Sequence, residues 1–410
     1  MMKTEQIRVA QINGGVFGST GKIMLSIARL AEENGFDTFC AAPITKPNRK
    51  KSPNEPYYKI GNYYSRLIAV FFDRFFDNRV AAVGATKKLV SKLKEFAPDI
   101  LHLHNIHGGY INLKILFKYI KEYNIKVVWT LHDCWAFTGH CPHFIMYNCE
   151  KWKTGCYKCP RYRDYPKHVF DNSTKMYRIK KELFTGIQNM TIVTPSAWLG
   201  QLVKQSFLKD YCVKVINNGI DLNVFKPIES SFKERYNIPK EKFILLGVAF
   251  GWGYRKGLDV FINLSKRLSD QYQIVLVGTD DDIDKQLPKN IISIHRTQNQ
   301  KELAEIYTAA DLFINPTREE NFPTVNIESL ACGTPVLTFK TGGSPEIIDE
   351  TCGSSVTYDD ENALEKEIIR IHDEKPYLRD ACVLRATSFD MNCRFRDYIA
   401  LYKHIQTGRC

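Results

Sequence analysis

Two glutamates, Glu320 and Glu328, stand eight residues apart in the stretch "REENFPTVNIESLACGTPVL", residues 318–337. The pattern predicts a helix beginning near Thr324, with Glu320 in the entry loop and Glu328 about a turn inside. A glutamate buried there needs hydroxyl donors, such as a ribose or a sugar ring. Upstream, "GWGYRKGLDVFI" (residues 251–262) sets Arg255 and Lys256 just ahead of another helix. Two cations beside a helix N-terminus suit a diphosphate, although a solvated pair would look the same. "NGGVFGSTG" (residues 13–21) also links a strand to a helix. Its glycines allow backbone approach, and the helix start favours an anion. The spacing is not G-x-G-x-x-G, so a dinucleotide reading is weak and a tight turn is the alternative.

A different chemistry lies in "AFTGHCPHFIMYNCEKWKTGCYKCP" (residues 136–160), which holds four of the chain's 12 cysteines. The spacing Cys141-x7-Cys149-x6-Cys156-x2-Cys159 resembles a small zinc knot, with His140 and His143 as substitute ligands. Free thiols and disulfides are the alternatives. A polar insert this short lacks a core and gains from a metal staple. The other cysteines are scattered, which suits reduced thiols.

Short apolar runs alternate with helical patterns through nearly all 410 residues. Such alternation predicts an α/β chain with parallel sheets and helices on both faces. The pattern restarts after residue 228, so two doubly wound, Rossmann-like domains are expected. The expected bounds are 1–212, with a cysteine-rich insert at 134–160, and 213–386, followed by a C-terminal helix in 387–410 crossing back to the first domain. Ligands of such domains bind at the carboxyl ends of the strands. Polar residues stand at those ends: Asn13 and Gly14, His104 and Asn105, His132 and Asp133, Asn218 and Gly219, Gly278, and Pro316 onward.

Hydrophobic content of 44% and charged content of 25% are globular values. No run reaches the ~18 apolar residues of a membrane-spanning helix. The N-terminal stretch has no apolar signal core. A cytosolic protein is expected. The net charge of +12 favours an anionic partner. No nucleic-acid-binding signature accompanies it, so nucleic acid is not the expected partner.

Taken together, these blocks resemble the retaining GT-B glycosyltransferases of family four. The resemblance covers nearly the whole chain. It is carried by the glycine loop, "PDILHLHN", "TLHD", "VTPSAWL", "NNGIDLNVFKP", the E-x7-E motif, "SLACGTPVL" and "TGGSPEII". The blocks "LHNIHGGYIN" and "WTLHDCWAFTGHC" are similar to the bacterial subgroup that builds capsule, O-antigen and exopolysaccharide.

The resemblance implies a role for each matching residue. Glu328 holds the donor's ribose and Glu320 faces the transferred sugar. The backbone of Asn321, Phe322, Pro323 and Thr324 contacts that sugar and the phosphates. Lys256 binds the diphosphate, with Gly14 and Gly15 close to the same phosphates. His132 touches the sugar near the reacting carbon, in an orienting and electrostatic role. His104, Asn105 and Asp133 belong to the acceptor side. The family usually has an arginine about six residues before that lysine. Phe250 stands near that place, and Arg255 is the substitute.

The implied reaction passes a sugar from a nucleotide sugar, a UDP-sugar by preference, to a glycan or lipid-linked acceptor. No cofactor is required, since basic side chains and a helix start do a metal's work and no Asp-x-Asp clamp lies beside the donor motif. A nucleotide-sugar epimerase, a phosphorylase and a non-catalytic nucleotide-sugar-binding protein are the competing readings of the same fold.

"NYYSRLIAVFFDRFFDNRV" (residues 62–80) makes a wide apolar helical face. Packing on the first domain and docking at the cytoplasmic face of the inner membrane are the two readings. The cluster Lys46, Arg49, Lys50 and Lys51 suits anionic lipids.

Overall fold

Among the described residues thirteen strands form, and most can be traced to their sequence runs. Most are four to seven residues of Val, Ile, Leu and Phe with both faces buried, as a parallel sheet covered by helices on each side requires. The computed structural model describes residues 6–46, 56–75 and 81–407. Arg49, Lys50, Lys51, Phe76 and Arg79 lie outside the described residues.

The chain forms two units, Met1–Ile216 with Phe395–Cys410, and Asn217–Arg394. The first holds β1 (Arg8–Ile12), β2 (Asp37–Pro43), β3 (Tyr58–Ile60), β4 (Ile100–Leu103), β5 (Lys126–Thr130), β6 (Met190–Thr194) and β7 (Cys212–Val215). They form one parallel sheet in the order β3-β2-β1-β4-β5-β6-β7. The second unit holds β8 (Phe243–Val248), β9 (Tyr272–Val277), β10 (Ile291–Ile294), β11 (Leu312–Asn315), β12 (Val336–Phe339) and β13 (Gly353–Val356). Its order is β10-β9-β8-β11-β12-β13, again parallel.

One difference from the sequence reading has a physical cause. The first unit runs past residue 212, because β7 pairs with β6 through Thr191–Cys212 to Thr194–Val215. The last helix, Met391–Gln406, begins in the second unit, and its residues from Phe395 group with the first. That helix buries Tyr398 and Tyr402. The Tyr402 hydroxyl lies 2.6 Å from Nδ1 of His102 on β4, and Tyr398 lies 3.1 Å from Thr130 Oγ1 on β5. His102 Nε2 also lies 2.8 Å from Thr130 Oγ1, so the Tyr pair completes a buried polar network inside the sheet.

In both sheets the strand order reverses beside the first strand, between β1 and β4 and between β8 and β11. At such a reversal the loops leave in opposite directions and open a crevice at the carboxyl ends of the strands. The residues singled out from the sequence follow β1, β4 and β5 in one unit and β8 and β11 in the other.

Candidate active site

In the second unit the loop after β8 ends in a 3-10 turn, Tyr254–Lys256, and then the helix Leu258–Arg267. Gly257 joins them at φ 75°, and a Cβ there would lie 2.6 Å from the Pro316 carbonyl. Glycine therefore lets the cation-bearing turn pack against the loop after β11. Two further bonds stitch the loops together: Arg318 N–H donates to the Arg255 carbonyl at 2.9 Å, and Thr317 Oγ1 donates to it at 3.3 Å.

The result brings Lys256 and Glu320 together, with Nζ 2.6 Å from Oε2. The other Glu320 oxygen accepts the Asn321 N–H at 3.1 Å. Behind them Gly342 packs so closely that a Cβ would lie 2.0 Å from the Glu320 carbonyl. The Gly343 N–H donates to the Asn321 carbonyl at 2.7 Å. The "TGG" turn is thus a backstop for the loop that carries the glutamate.

Arg318 fixes that loop from beneath. Its side chain is buried and meets both Asp259 oxygens at 2.8 Å, Asp359 at 2.7 Å and the Tyr254 carbonyl at 2.7 Å. Its guanidinium also lies over the Tyr254 ring, 3.8 Å from the centroid. Burial works against its charge, but the two aspartates more than offset this and hold it firmly protonated.

The helix Thr324–Ala331 opens after Pro323, as the sequence predicted. Glu328 sits in its second turn and accepts from the Tyr307 hydroxyl at 3.2 Å. The Phe322 side chain is a core residue against Phe389, so this position offers only its backbone. Arg255 points its guanidinium at the Glu319 carbonyl, 3.5 Å away. Phe250 is fully exposed.

In the first unit Asn13 organises the glycine loop. Its amide donates to the Gly15 carbonyl at 2.9 Å and to Thr20 Oγ1 at 3.2 Å. Its Oδ1 accepts the Asn105 N–H at 3.2 Å, which ties the loop after β1 to the loop after β4. Gly14 packs against the Asn105 carbonyl, where a Cβ would approach to 3.3 Å.

Behind the loop runs a chain of side chains. Gln11 Oε1 lies 3.0 Å from His104 Nε2, and His104 Nδ1 lies 3.1 Å from His132 Nε2. With the Gln11 oxygen accepting, the His104 proton is on Nε2, and His104 Nδ1 accepts from His132 Nε2–H. Burial pulls the His132 pKa down to about 4, helped by His107 and opposed by Asp133. His132 is therefore a neutral imidazole near pH 7. Asp133 receives the His107 Nε2 proton at 3.0 Å and the Trp135 N–H at 2.8 Å. Burial opposes its charge most strongly, but His107, His143 and the Trp135 N–H together hold it down to about 2.

The protein-family comparison gives two matches. A model described as Glycosyltransferase Family 4 matches residues 21–224, and one described as Glycosyl transferases group 1 matches residues 241–374. The chain belongs to the GT-B glycosyltransferases of family four. It is similar to WcaC of Escherichia coli K12, named as a colanic acid biosynthesis glycosyl transferase. The two are 22% identical over 367 residues, covering 87% of each chain. In fold it is similar to sucrose-phosphate synthase of Thermosynechococcus elongatus, at TM-score 0.72 and 18% identity, covering 98% of this chain and 100% of that one. Anabaena HepE in complex with UDP and glucose follows at TM-score 0.68 and 15% identity, covering 97% and 100%.

Within this family member, sequence reasoning missed four participants. Arg318 was visible, but its partners lie 59 and 41 residues away. Tyr307 stands in ordinary helix text, and His107 lies in the block "LHNIHGGYIN" without a local sign of its Asp133 partner. Gln11 did carry a signal, being a buried polar residue between the apolar residues of strand β1. As placed, the one group of three donors within 4.8 Å of one another among the described residues is Asp281, Asp284 and His295, all exposed. Cys141 and Cys159 form a closer pair in the first unit, with sulfurs 3.6 Å apart.

Proposed function

We propose that this glycosyltransferase is a retaining, hexosyl-type enzyme. It moves a sugar from a nucleotide sugar, a UDP-sugar by preference, to a glycan acceptor carried on a lipid. The observation that carries the reading is the meeting of Lys256, Glu320 and the start of helix Thr324–Ala331 at the β8/β11 switch point. Breaking the bond between the anomeric carbon and the diphosphate leaves negative charge on the diphosphate. A fixed ammonium and aligned amide dipoles stabilise that charge, commonly the largest single contribution to such a rate.

The residues divide the work. Lys256, with Arg255 beside it, neutralises the departing diphosphate, so the chemistry needs no metal. Glu320 hydrogen-bonds the transferred sugar. Glu328, steadied by the Tyr307 hydroxyl, takes the ribose hydroxyls. His132, neutral, orients the sugar, and Gly14 and Gly15 admit the phosphates. The acceptor oxygen bonds to the anomeric carbon on the face the diphosphate leaves, and the acceptor proton passes to the departing diphosphate oxygen. His104, Asn105 and Asp133 serve the acceptor side.

The names of similar proteins support a place in surface polysaccharide synthesis. No helix among the described residues is long and apolar enough to cross a membrane. Peripheral contact with the cytoplasmic face of the inner membrane is supported by the helix Tyr63–Phe75. It buries only Ala69 and exposes Tyr64, Leu67, Ile68, Phe71, Phe72 and Phe75.

The experiment incubates the protein with UDP- and GDP-sugars and a lipid-linked glycan extract. Nucleoside diphosphate release with a product that keeps the donor's anomeric configuration supports the reading. Inversion at the anomeric carbon refutes the retaining mechanism.

A further inference from the structure

The cysteine-rich insert folds its four thiols around one small cavity in the first unit. The cavity is about 30 Å³ and is lined by Cys141, Cys149, Cys156 and Cys159 together with His140 and Trp152. That is room for one ion or one water. The thiols come from three separate turns of chain, and no helix or strand would bring them together by itself. Cys141 and Cys159 already stand with sulfurs 3.6 Å apart. In a tetrahedral zinc site with Zn–S bonds of about 2.3 Å, neighbouring sulfurs lie about 3.8 Å apart.

Three further observations point at a metal in this cavity. Gly139 donates its backbone N–H to the Cys156 sulfur at 3.1 Å, the kind of bond that steadies a thiolate ligand. Gly139 must be glycine for that approach, since a Cβ would lie 2.6 Å from the Cys156 Cβ. His140 is 95% buried, lines the cavity, and its Nε2 has no hydrogen-bond partner among the described residues. A buried ring nitrogen without a partner is destabilising, and a ligand sulfur drawn toward it would supply an acceptor. The insert is also braced from outside. Asp171 accepts the Cys159 N–H at 2.8 Å, and the buried Lys180 ammonium donates to the Trp135 and Thr138 carbonyls at 2.7 and 3.0 Å.

We infer that Cys141, Cys149, Cys156 and Cys159 hold one structural zinc ion, with His140 donating to a ligand sulfur. As placed, no three of the thiols lie within 4.8 Å of one another, so the turns that carry them draw in around the cavity they line when the ion binds. The thiols lose their protons on binding, and four thiolates close the coordination shell, which marks a structural rather than a catalytic metal. Its effect is on shape: the same insert carries Trp135, whose N–H holds Asp133 in place. The inference does not depend on the sugar-transfer reading.

The test is metal analysis of the full chain expressed with zinc in the medium and purified without chelator. The expected result is about one zinc per chain, all four thiols reduced on alkylation mass spectrometry, and a lower Tm after chelation. The C156S/C159S double variant should carry less than about a tenth of an equivalent. Should that variant fail to fold, the unaltered chain still decides. Less than about half an equivalent of zinc in it, or a disulfide between Cys141 and Cys159, overturns the inference. So does full zinc retention by the double variant.

Discussion

The ammonium of Lys256 stands 2.6 Å from a carboxylate oxygen of Glu320, and each side chain is 19% exposed. The two residues belong to different loops, one leaving β8 and the other β11. The pair therefore ties the two sides of a switch point together and holds a positive charge where an anion is to be bound. A diphosphate bound there as proposed would compete with Glu320 for the lysine.

That competition makes opposite predictions for the two partners. K256A should weaken UDP binding and lower kcat by about 10²–10³-fold, with partial recovery in K256R. E320Q should bind UDP about threefold to tenfold more tightly while losing transfer, because the ammonium is released from its partner. Isothermal titration with UDP and a transfer assay on each variant separate the cases. Weaker UDP binding in both variants would contradict the competition.

His132 gives a pH prediction. Its pKa of about 4 lies below the ordinary 6.5, so the imidazole is neutral above about pH 4. The acid limb of kcat should therefore sit well below pH 6. Removing His107 strips away a neighbour that lowers the pKa, which raises it. The H107A limb should move upward toward 6.5. The same shift has a stability consequence. Unfolded chain takes up the proton near 6.5 and folded chain only near 4, so stability is lost as pH falls through that window. The buried His102, down at about 3, and His104 act in the same direction. Thermal melts from pH 7 to pH 4 should show a falling Tm, with the steepest fall below 6.5.

Arg318 is a structural anchor with a functional readout. R318M removes the clamp on Asp259 and Asp359 and should cost about 2–3 kcal/mol, since both aspartates are about a third exposed and regain water. The loop bearing Glu320 loses its seat, so kcat should fall further than stability alone explains. Denaturant melts beside transfer kinetics at a temperature where both proteins are folded measure the two effects.

The apolar face of helix Tyr63–Phe75 predicts binding to vesicles containing anionic lipid. Flotation of the unaltered chain with F71S/F72S/F75S loss of binding is the expected outcome. All three phenylalanines are exposed, so the substitutions should leave the fold intact. Equal flotation of both proteins, or of neither, removes the membrane reading.

Much of this was legible in the sequence for a simple reason. A parallel strand buried on both faces must be a continuous apolar run, and its carboxyl tip is where polar residues collect, so "ILHLHN" and "VVWTLHD" marked His104 and His132 at once. Where the runs are short or polar, the signal failed. Strand β3 has three residues, and β13 reads "GSSV". Neither was foreseen. Strand β7 was assigned to the wrong side of the domain boundary because its run continues into "INNG" without a break. Side-chain partnerships were the least legible part. The Gln11–His104–His132 chain joins β1 to the loops after β4 and β5, and the Arg318 clamp reaches Asp259 and Asp359. Only the strand order brings those positions together, and no local pattern records it.

The most direct measurement is the release of nucleoside diphosphate from a panel of UDP- and GDP-sugars, with and without a lipid-linked glycan extract, by the unaltered protein and E328A. One nucleotide sugar should be consumed, faster with extract. E328A should lose donor affinity by about tenfold, as the loss of one hydrogen-bonded carboxylate implies. If no nucleotide sugar binds or turns over, or if E328A binds its donor as tightly as the unaltered protein, the assignment of this site to a nucleotide-sugar donor is wrong.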